Sequence, residues 1–511
     1  MFLFHSILFL ILTYECNSAR IFSIFYVQSY SHNHLALTLL TELAERGHEV
    51  TLLTPFVPKD VVKNLKVIHM KFPPKSVDTQ VNPFDVKKMT LFERIMFIEQ
   101  YGLNEMEVVF NVTEVQTFLL ENHHFDAVIF PQFVSEALRG FCYHFRAVCI
   151  GLSPVILNSM SGRPMGNPFH PSYIPNLFSP FSDRMNFFER FHNTIIVTAE
   201  MLFHHFYVLP RHNQLLQKHF PGAPHINDLY YNTSLMLVNT HVATNFPVPL
   251  VPNIIPIGGY HIRPLSKLSK ALQDYLDDAR DGAIYFSMGS YLNSADIPND
   301  KLNAILNVFR KLKQKVLWKF NGNKLTNLPP NVKLGTWFPQ QDILDHPNVK
   351  LFITHGGLLS TMEAIYHGVP VVAIPFFGDQ EMNAANAENC GYAVVVSYEE
   401  LTENTLQTAV DEVLINPKYG NIARRRSRIF HDEPMRPLDK AVFWIEYVIR
   451  HNGAPHLRTT ALGLTWYQYL LLDMVLFIIT VLFLFLFILK KLLAKLFRKN
   501  TTSKKTKLKT R

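Results

Sequence analysis

RIFSIFYVQSYSHNHLALTLLTELAERGHEVTLLT, residues 20–54, decides the fold. Ile21 to Gln28 is an apolar run suited to a strand covered on both faces. Leu35, Leu39, Leu40 and Leu43 then recur at helical spacing, Gly47 stops the helix, and Glu49 to Thr54 reads as a second strand. Strand, helix and strand within about thirty-five residues form the repeating unit of a doubly wound parallel sheet. Phe125 to Phe130 and Ala147 to Leu152 are expected as later strands of that sheet. Gly151 to Phe181, rich in Pro, Ser, Asn and Gly, reads as a long loop over this half and a wall of a ligand pocket.

The proline-studded stretch from Phe246 through Tyr260 excludes a regular helix or a central strand and marks the domain boundary. A second alternation follows: strand Ala283 to Ser287, helix Lys301 to Lys313, strands Val316 to Phe320 and Val349 to Thr354, helix Ser360 to His367, strand Val371 to Ile374. Two such halves imply a cleft at their strand C-terminal ends, where open sheets bind ligands. No G-x-G-x-x-G follows the first strand, which argues against a dinucleotide-dependent oxidoreductase.

The chain has 511 residues, 48% of them hydrophobic, enough for more than one core. Its net charge of +8 sits in one place, because ten of the 49 basic residues lie between Lys490 and Arg511. The remaining 39 face 41 acidic residues, so the body carries no basic stripe and nucleic acid is not an expected partner.

Phe2 to Leu12, followed by Cys16-Asn-Ser-Ala19, reads as a signal peptide cleaved near Ser18 or Ala19. Residues 462–489 read as a transmembrane helix, with Trp466, Tyr467 and Tyr469 as interfacial anchors and Asp473 one to two turns inside. The lysines that follow place the C-terminus in the cytosol and the body in the lumen. Lys507 and Lys509 have the spacing of a dilysine retrieval signal for the endoplasmic reticulum. Asn111-Val-Thr113 and Asn232-Thr-Ser234 are glycosylation acceptors by pattern. With Cys16 removed, Cys142, Cys149 and Cys390 cannot all pair, so no disulfide framework is expected.

The most specific constellation is Trp337-Phe-Pro-Gln340, then Thr354-His355-Gly-Gly357-Leu-Leu-Ser360-Thr-Met-Glu363, Gly368-Val-Pro370 and Pro375-Phe-Phe-Gly-Asp379-Gln380. A strand ending in His-Gly-Gly before a helix aims backbone amides and the helix dipole at an anion. Taken singly, each residue has an ordinary structural reading; their joint spacing does not. Here the chain resembles the UDP-glycosyltransferase family, in the membrane-bound animal form of UDP-glucuronosyltransferases and insect UDP-glucosyltransferases. The resemblance implies two Rossmann-like domains facing a cleft, the GT-B type, plus one C-terminal transmembrane helix. It assigns uracil to Trp337 and Gln340, the diphosphate to Ser290, His355, Gly357 and Ser360, the ribose to Glu363, and the sugar hydroxyls to Asp379 and Gln380. Leu359 departs from it, standing where many members carry Asn.

The resemblance also implies that His32, just past the first strand, deprotonates an acceptor hydroxyl, with His34 as the neighbouring alternative. A base of this kind needs a carboxylate to orient it, yet Pro131 stands where the family's acid aligns. Glu136 is the substitute candidate. The phenylalanine-rich stretch Phe181 to Phe206 suggests a greasy acceptor pocket.

The expected organisation is therefore 1–19 signal peptide, 20–245 acceptor half, 246–281 linker, 282–430 UDP-sugar half, 431–461 closing helices, 462–489 membrane helix and 490–511 basic tail. The expected reaction is inverting transfer of a hexose, glucose first and glucuronic acid second, from UDP-sugar to a small lipophilic acceptor, as in detoxification or in hormone or pigment conjugation. The alternative is a UDP-sugar-binding protein without turnover. No D-x-D triplet is present, so no metal or other cofactor is expected. Homo-oligomer formation is left open.

Overall fold

The apolar runs become strands covered on both faces: all five residues of Ala283–Ser287 and all five of Ala127–Pro131 are buried. The computed structural model describes residues 18–58, 60–73, 86–290, 297–322, 325 and 327–507, the last ten of these by backbone alone. The first sheet contains β1 (Arg20–Ile24), β2 (Glu49–Thr54), β3 (Leu65–His69), β4 (Ala127–Pro131), β5 (Val148–Ser153), β6 (Leu235–Val238) and β7 (Ile254–Pro256). Its order is β3-β2-β1-β4-β5-β6-β7. The second contains β8 (Ala283–Ser287), β9 (Lys315–Lys319), β10 (Val332–Gly335), β11 (Val349–Thr354), β12 (Val371–Ala373) and β13 (Ala393–Val395), in the order β10-β9-β8-β11-β12-β13.

Every pairing in both sheets is parallel. In each sheet the chain steps outward for three strands and then returns to the other side of the first. A crevice therefore opens at the C-terminal ends of β1 and β4, and another at those of β8 and β11.

Helix Tyr30–Glu45 covers the first sheet as its periodicity predicts. Leu35, Leu39, Leu40 and Leu43 share a buried cluster with Ile21, Val50, Leu52 and Ile129. Each such leucine contributes about 2 kcal/mol by leaving water. Helix Pro437–Arg450 returns to the same cluster through Ala441, Val442, Ile445 and Val448, and is pinned there by the Arg46–Asp439 pair and by His48 Nε2, 3.2 Å from Glu446.

Several sequence expectations are corrected. The 151–181 segment is mostly buried and includes the short helix Ser159–Gly162. Asparagine side chains explain how irregular backbone survives inside: Asn158 caps the amides of Met160 and Ser161, and Asn193 Nδ2, from the helix Phe187–Phe203, donates to the carbonyls of Pro171 and Ile174. Ile156, Met160 and Phe178 then join a cluster that continues into the second half at Leu358 and Met362. The phenylalanine-rich stretch is largely the helix Phe187–Phe203, and Phe187, Phe188, Phe191 and Phe206 are exposed.

The boundary at 246 also moves. Ile254–Pro256 pairs with β6 as the last strand of the first sheet, and an edge tolerates a proline that cannot donate. Farther on, helix Lys270–Asp277 belongs to the second half, where Tyr275 Oη donates to the carbonyls of Val316 and Asn331. Cys142 and Cys149 form a disulfide between helix Arg139–Phe145 and β5, and Cys390 is free.

Residues up to Arg458 form one compact unit and those from Thr459 another. The second unit holds helix Leu472–Lys507, whose segment Leu472–Phe497 is long and apolar enough to cross a membrane. It starts later than the expected 462–489 span because Leu471 adopts a positive φ of 55° and breaks the chain there. Asp473 consequently lies in the first helical turn, accepting from the Met474 amide at 2.9 Å. Residues 1–17, with most of the expected signal peptide, and Lys509 lie outside the described residues. Asn111 and Asn232 are both exposed.

Candidate active site

The two crevices place the expected residues on their rims. After β11, His355 sits between two glycines: a Cβ on Gly289 would lie 2.6 Å from its ring, and one on Gly357 also 2.6 Å. Gly289, at a φ of +79°, additionally occupies the left-handed region. The imidazole thus fills a slot between the β8 and β11 turns. Burial, with the nearby Lys319 charge, lowers His355 to about 4, so it is neutral at physiological pH.

Helix Leu358–Tyr366 begins at Gly357 with no side-chain cap and no acid in its first turn. Its first amides therefore keep their capacity to meet an anion. Ser290, three residues past β8, is exposed, and its side chain makes no polar contact among the described residues.

Trp337 and Gln340 follow β10. Gln340 Nε2 donates to Ser360 Oγ at 3.1 Å and to Glu363 at 2.6 Å, while Gln341 Nε2 donates to the other Glu363 oxygen at 3.1 Å. Burial raises the Glu363 carboxyl above its usual range, against the pull of both amides. Trp337 is 57% exposed. Its edge meets Tyr30 of the first half at 5.1 Å, which puts the two halves in contact at this point.

Asp379 immediately precedes helix Gln380–Asn389, makes no side-chain cap to its amides, and accepts from Asn383 Nδ2 at 2.8 Å. Burial pushes Asp379 up to about 6. Gln380 Oε1 accepts the amides of Phe376 and Phe377 at 2.9 and 3.2 Å, so part of this side chain holds its own loop.

In the first half, His32 lies at the β1/β4 crevice, its ring edge-on to Phe133 at 5.3 Å. Its Nδ1 is buried without a partner, and burial lowers it to about 4. His34 faces elsewhere: it stacks on Tyr30 at 5.8 Å, and burial lowers its pKa. Among the described residues no carboxylate pairs with His32. Glu136 is not the missing acid. It is buried on the turn Glu136–Leu138 with its Oε2 3.1 Å from His212 Nε2, and both side chains are essentially inaccessible.

Three residues were not picked out from the sequence. Lys319, the last residue of β9, holds Nζ 4.4 Å from the centroid of the Trp337 ring and donates to the Gly289 carbonyl at 3.0 Å. Burial lowers its pKa. His261 is buried with Nε2 3.6 Å from Glu363. Tyr30 supplies the contact across the halves. The legible signal was position: Lys319 ends a strand of the sheet that carries the motif. Leu359, the departure from pattern, packs against the clusters of both halves and so fills the junction between them.

The family described as UDP-glucoronosyl and UDP-glucosyl transferase matches residues 23–507. The chain belongs to this UDP-glycosyltransferase family. It is similar to UDP-glycosyltransferase UGT5 of Dactylopius coccus, 36% identical over 91% of this chain and 90% of that one. Likewise, UDP-glucosyltransferase 2 of the same organism is 36% identical over 94% of each. UDP-glucuronosyltransferase 2B7 of Homo sapiens is 33% identical over 90% of each. The fold matches GT-B glycosyltransferases: the kitacinnamycin glycotransferase has a TM-score of 0.59 at 19% identity, covering 84% of this chain and 99% of that one. The calicheamicin glycosyltransferase CalG4 also scores 0.59, at 18% identity over 84% and 99%. This UDP-glycosyltransferase is therefore a UDP-dependent transferase, with both glucosyl and glucuronosyl transferases among its relatives.

Proposed function

We propose that the chain transfers glucose, with glucuronic acid as second choice, from UDP-sugar to a hydroxyl of a small lipophilic acceptor, inverting the anomeric carbon. The observation that carries this reading is the pairing of two crevices. One holds His32, whose Nδ1 is buried without a partner, and the other holds the Gln340–Ser360–Glu363 network beside an uncapped helix N-terminus.

In this reaction the uracil lies on Trp337 and the ribose diol on Glu363. The diphosphate meets the amides from Gly357 onward and Ser290, with Lys319 as the nearest cation. His32 takes the acceptor proton as the acceptor oxygen attacks the anomeric carbon from the face opposite the leaving UDP. Glucose ranks first because, among the described residues, no cation pairs with Asp379, whose carboxyl pKa desolvation raises, and a glucuronate carboxylate would meet like charge there. No metal is assigned a role.

The topology that accompanies this reading is a lumenal body anchored by Leu472–Phe497 in the endoplasmic reticulum membrane, glycosylated at Asn111 and Asn232. The Cys142–Cys149 disulfide suits an oxidising lumen.

A second reading, UDP-sugar binding without turnover, is favoured by Pro131 and by the engagement of Glu136 with His212. Full-length protein in detergent, given UDP-glucose and phenol or steroid acceptors, separates the two. UDP release that needs both His32 and acceptor supports transfer. Binding of UDP-glucose with no release under any acceptor supports the second reading.

A further inference from the structure

Helix Gln380–Asn389 follows β12 and by sequence belongs to the second sheet, yet the first half grips it along its length. Glu381, in its first turn, is ion-paired with Lys87 and with Arg94, the latter at 3.0 Å. Arg94 lies in the first turn of helix Leu91–Asn111 and Lys87 just before it. These three side chains are only 11% to 15% exposed, so the contact is mostly out of water. Farther along, Asn386 Nδ2 donates to the Thr244 carbonyl at 2.5 Å and Asn389 Nδ2 to Asp183 at 3.2 Å. Lys87 also reaches Glu399, beyond β13, at 3.4 Å.

A carboxylate facing two cations with little water holds its place firmly, and removing either side leaves a charge stranded. Glu381 adjoins Gln380, whose carbonyl oxygen lies 3.3 Å from the position a Cβ on Gly356 would take. The pairing is therefore one residue from the sugar-reading turn and directly behind the His355 turn.

We infer that Lys87 and Arg94 are positioning residues for donor-sugar selection: through Glu381 they fix the Asp379–Gln380 turn against the rest of the cradle. This rests on the reading of Asp379 and Gln380 as sugar contacts. It makes the choice of hexose a joint property of both halves, while uridine and diphosphate recognition stays with the second half.

The test compares full-length protein in detergent carrying Glu381→Gln, Lys87→Met with Arg94→Met, and the conservative Lys87→Arg and Arg94→Lys. UDP-glucose and UDP-galactose are substrates, and UDP is the sugar-free inhibitor. The charge-removing variants are expected to lose about tenfold or more in kcat/KM for UDP-glucose, and to lose preference for one hexose over the other. UDP inhibition should stay within about twofold, and Arg94→Lys should retain the preference. An unchanged hexose preference, or UDP inhibition weakened as much as turnover, overturns the inference while the cradle itself stands. Failure of the unmutated chain to bind UDP would instead overturn the reading beneath it, and this inference with it.

Discussion

Gln340 donates a 2.6 Å hydrogen bond to the carboxylate of Glu363, so the group expected to hold a ribose is already engaged by the group expected to read a base. In the proposed reaction a bound nucleoside inserts its diol into this network. Glu363→Gln should weaken UDP binding by about tenfold to a hundredfold, the range for losing hydrogen bonds to a charged group. The same change should level the preference for UDP over 2′-deoxy-UDP. Calorimetric titration with both nucleotides reads this directly, and a preference that survives removes Glu363 from the ribose.

The slot around His355 has no room. Gly289→Ala and Gly357→Ala each drive a Cβ to 2.6 Å from the imidazole, and the first also strains a left-handed backbone. Each should cost about 1 to 3 kcal/mol and lower the melting temperature, with UDP affinity falling as the ring is displaced. Unchanged melting and unchanged affinity in both variants would mean that His355 is not confined there.

The pH profile should carry two acid limbs. Asp379, raised to about 6 by burial, is a charged acceptor through both oxygens only when ionised, and protonation turns one of them into a donor, so kcat/KM for UDP-glucose falls as pH drops through about 6. His32, lowered to about 4 by burial, stays unprotonated through that range and limits activity only at lower pH. Asp379→Asn should remove the upper limb and leave the lower one. An upper limb that persists in this variant would assign it to another group.

A histidine that far below its usual pKa, with no carboxylate at its Nδ1 among the described residues, is a weak base. Phenols, with pKa about 10, should therefore be much better acceptors than aliphatic alcohols near 16, with about a hundredfold or more between them at matched size. Rates across substituted phenols should rise with acidity. Equal rates for phenols and alcohols would show that a stronger base is at work.

Glu136 offers a contrast with His32. Removing it strands the buried Arg139 charge and leaves His212, which burial keeps neutral, without its carboxylate neighbour, so Glu136→Ala should cost about 3 kcal/mol in stability while turnover per folded molecule is preserved. By comparison, His32→Ala should lower turnover by about a hundredfold or more without a matching loss of stability. Chemical unfolding alongside kinetics separates the two effects.

Much of this was legible because the central strands of both sheets are covered on two faces and so appear as unbroken apolar runs. Ala283–Ser287 and Val349–Thr354 coincide with the residues expected. The edge strands escaped notice: Val332–Gly335, Leu65–His69 and Ala393–Val395 are short and half-covered, and Ile254–Pro256 is masked by its proline. Glu136 misled for another reason. Distance along the chain set it near the β4 end, but it sits in a short 3-10 turn and faces a histidine some seventy-five residues away, a partner that periodicity cannot reveal. Lys87, Arg94 and Glu381 escaped likewise, since an ion pair between the halves leaves no local pattern.

The most direct measurement is a crystal structure of the protein with UDP bound. The account predicts uracil stacked on Trp337, the ribose hydroxyls on Glu363, and the diphosphate at the N-terminus of helix Leu358–Tyr366 beside His355. A nucleotide bound elsewhere, or an empty cradle with Gln340 still holding Glu363 at saturating UDP, would contradict it.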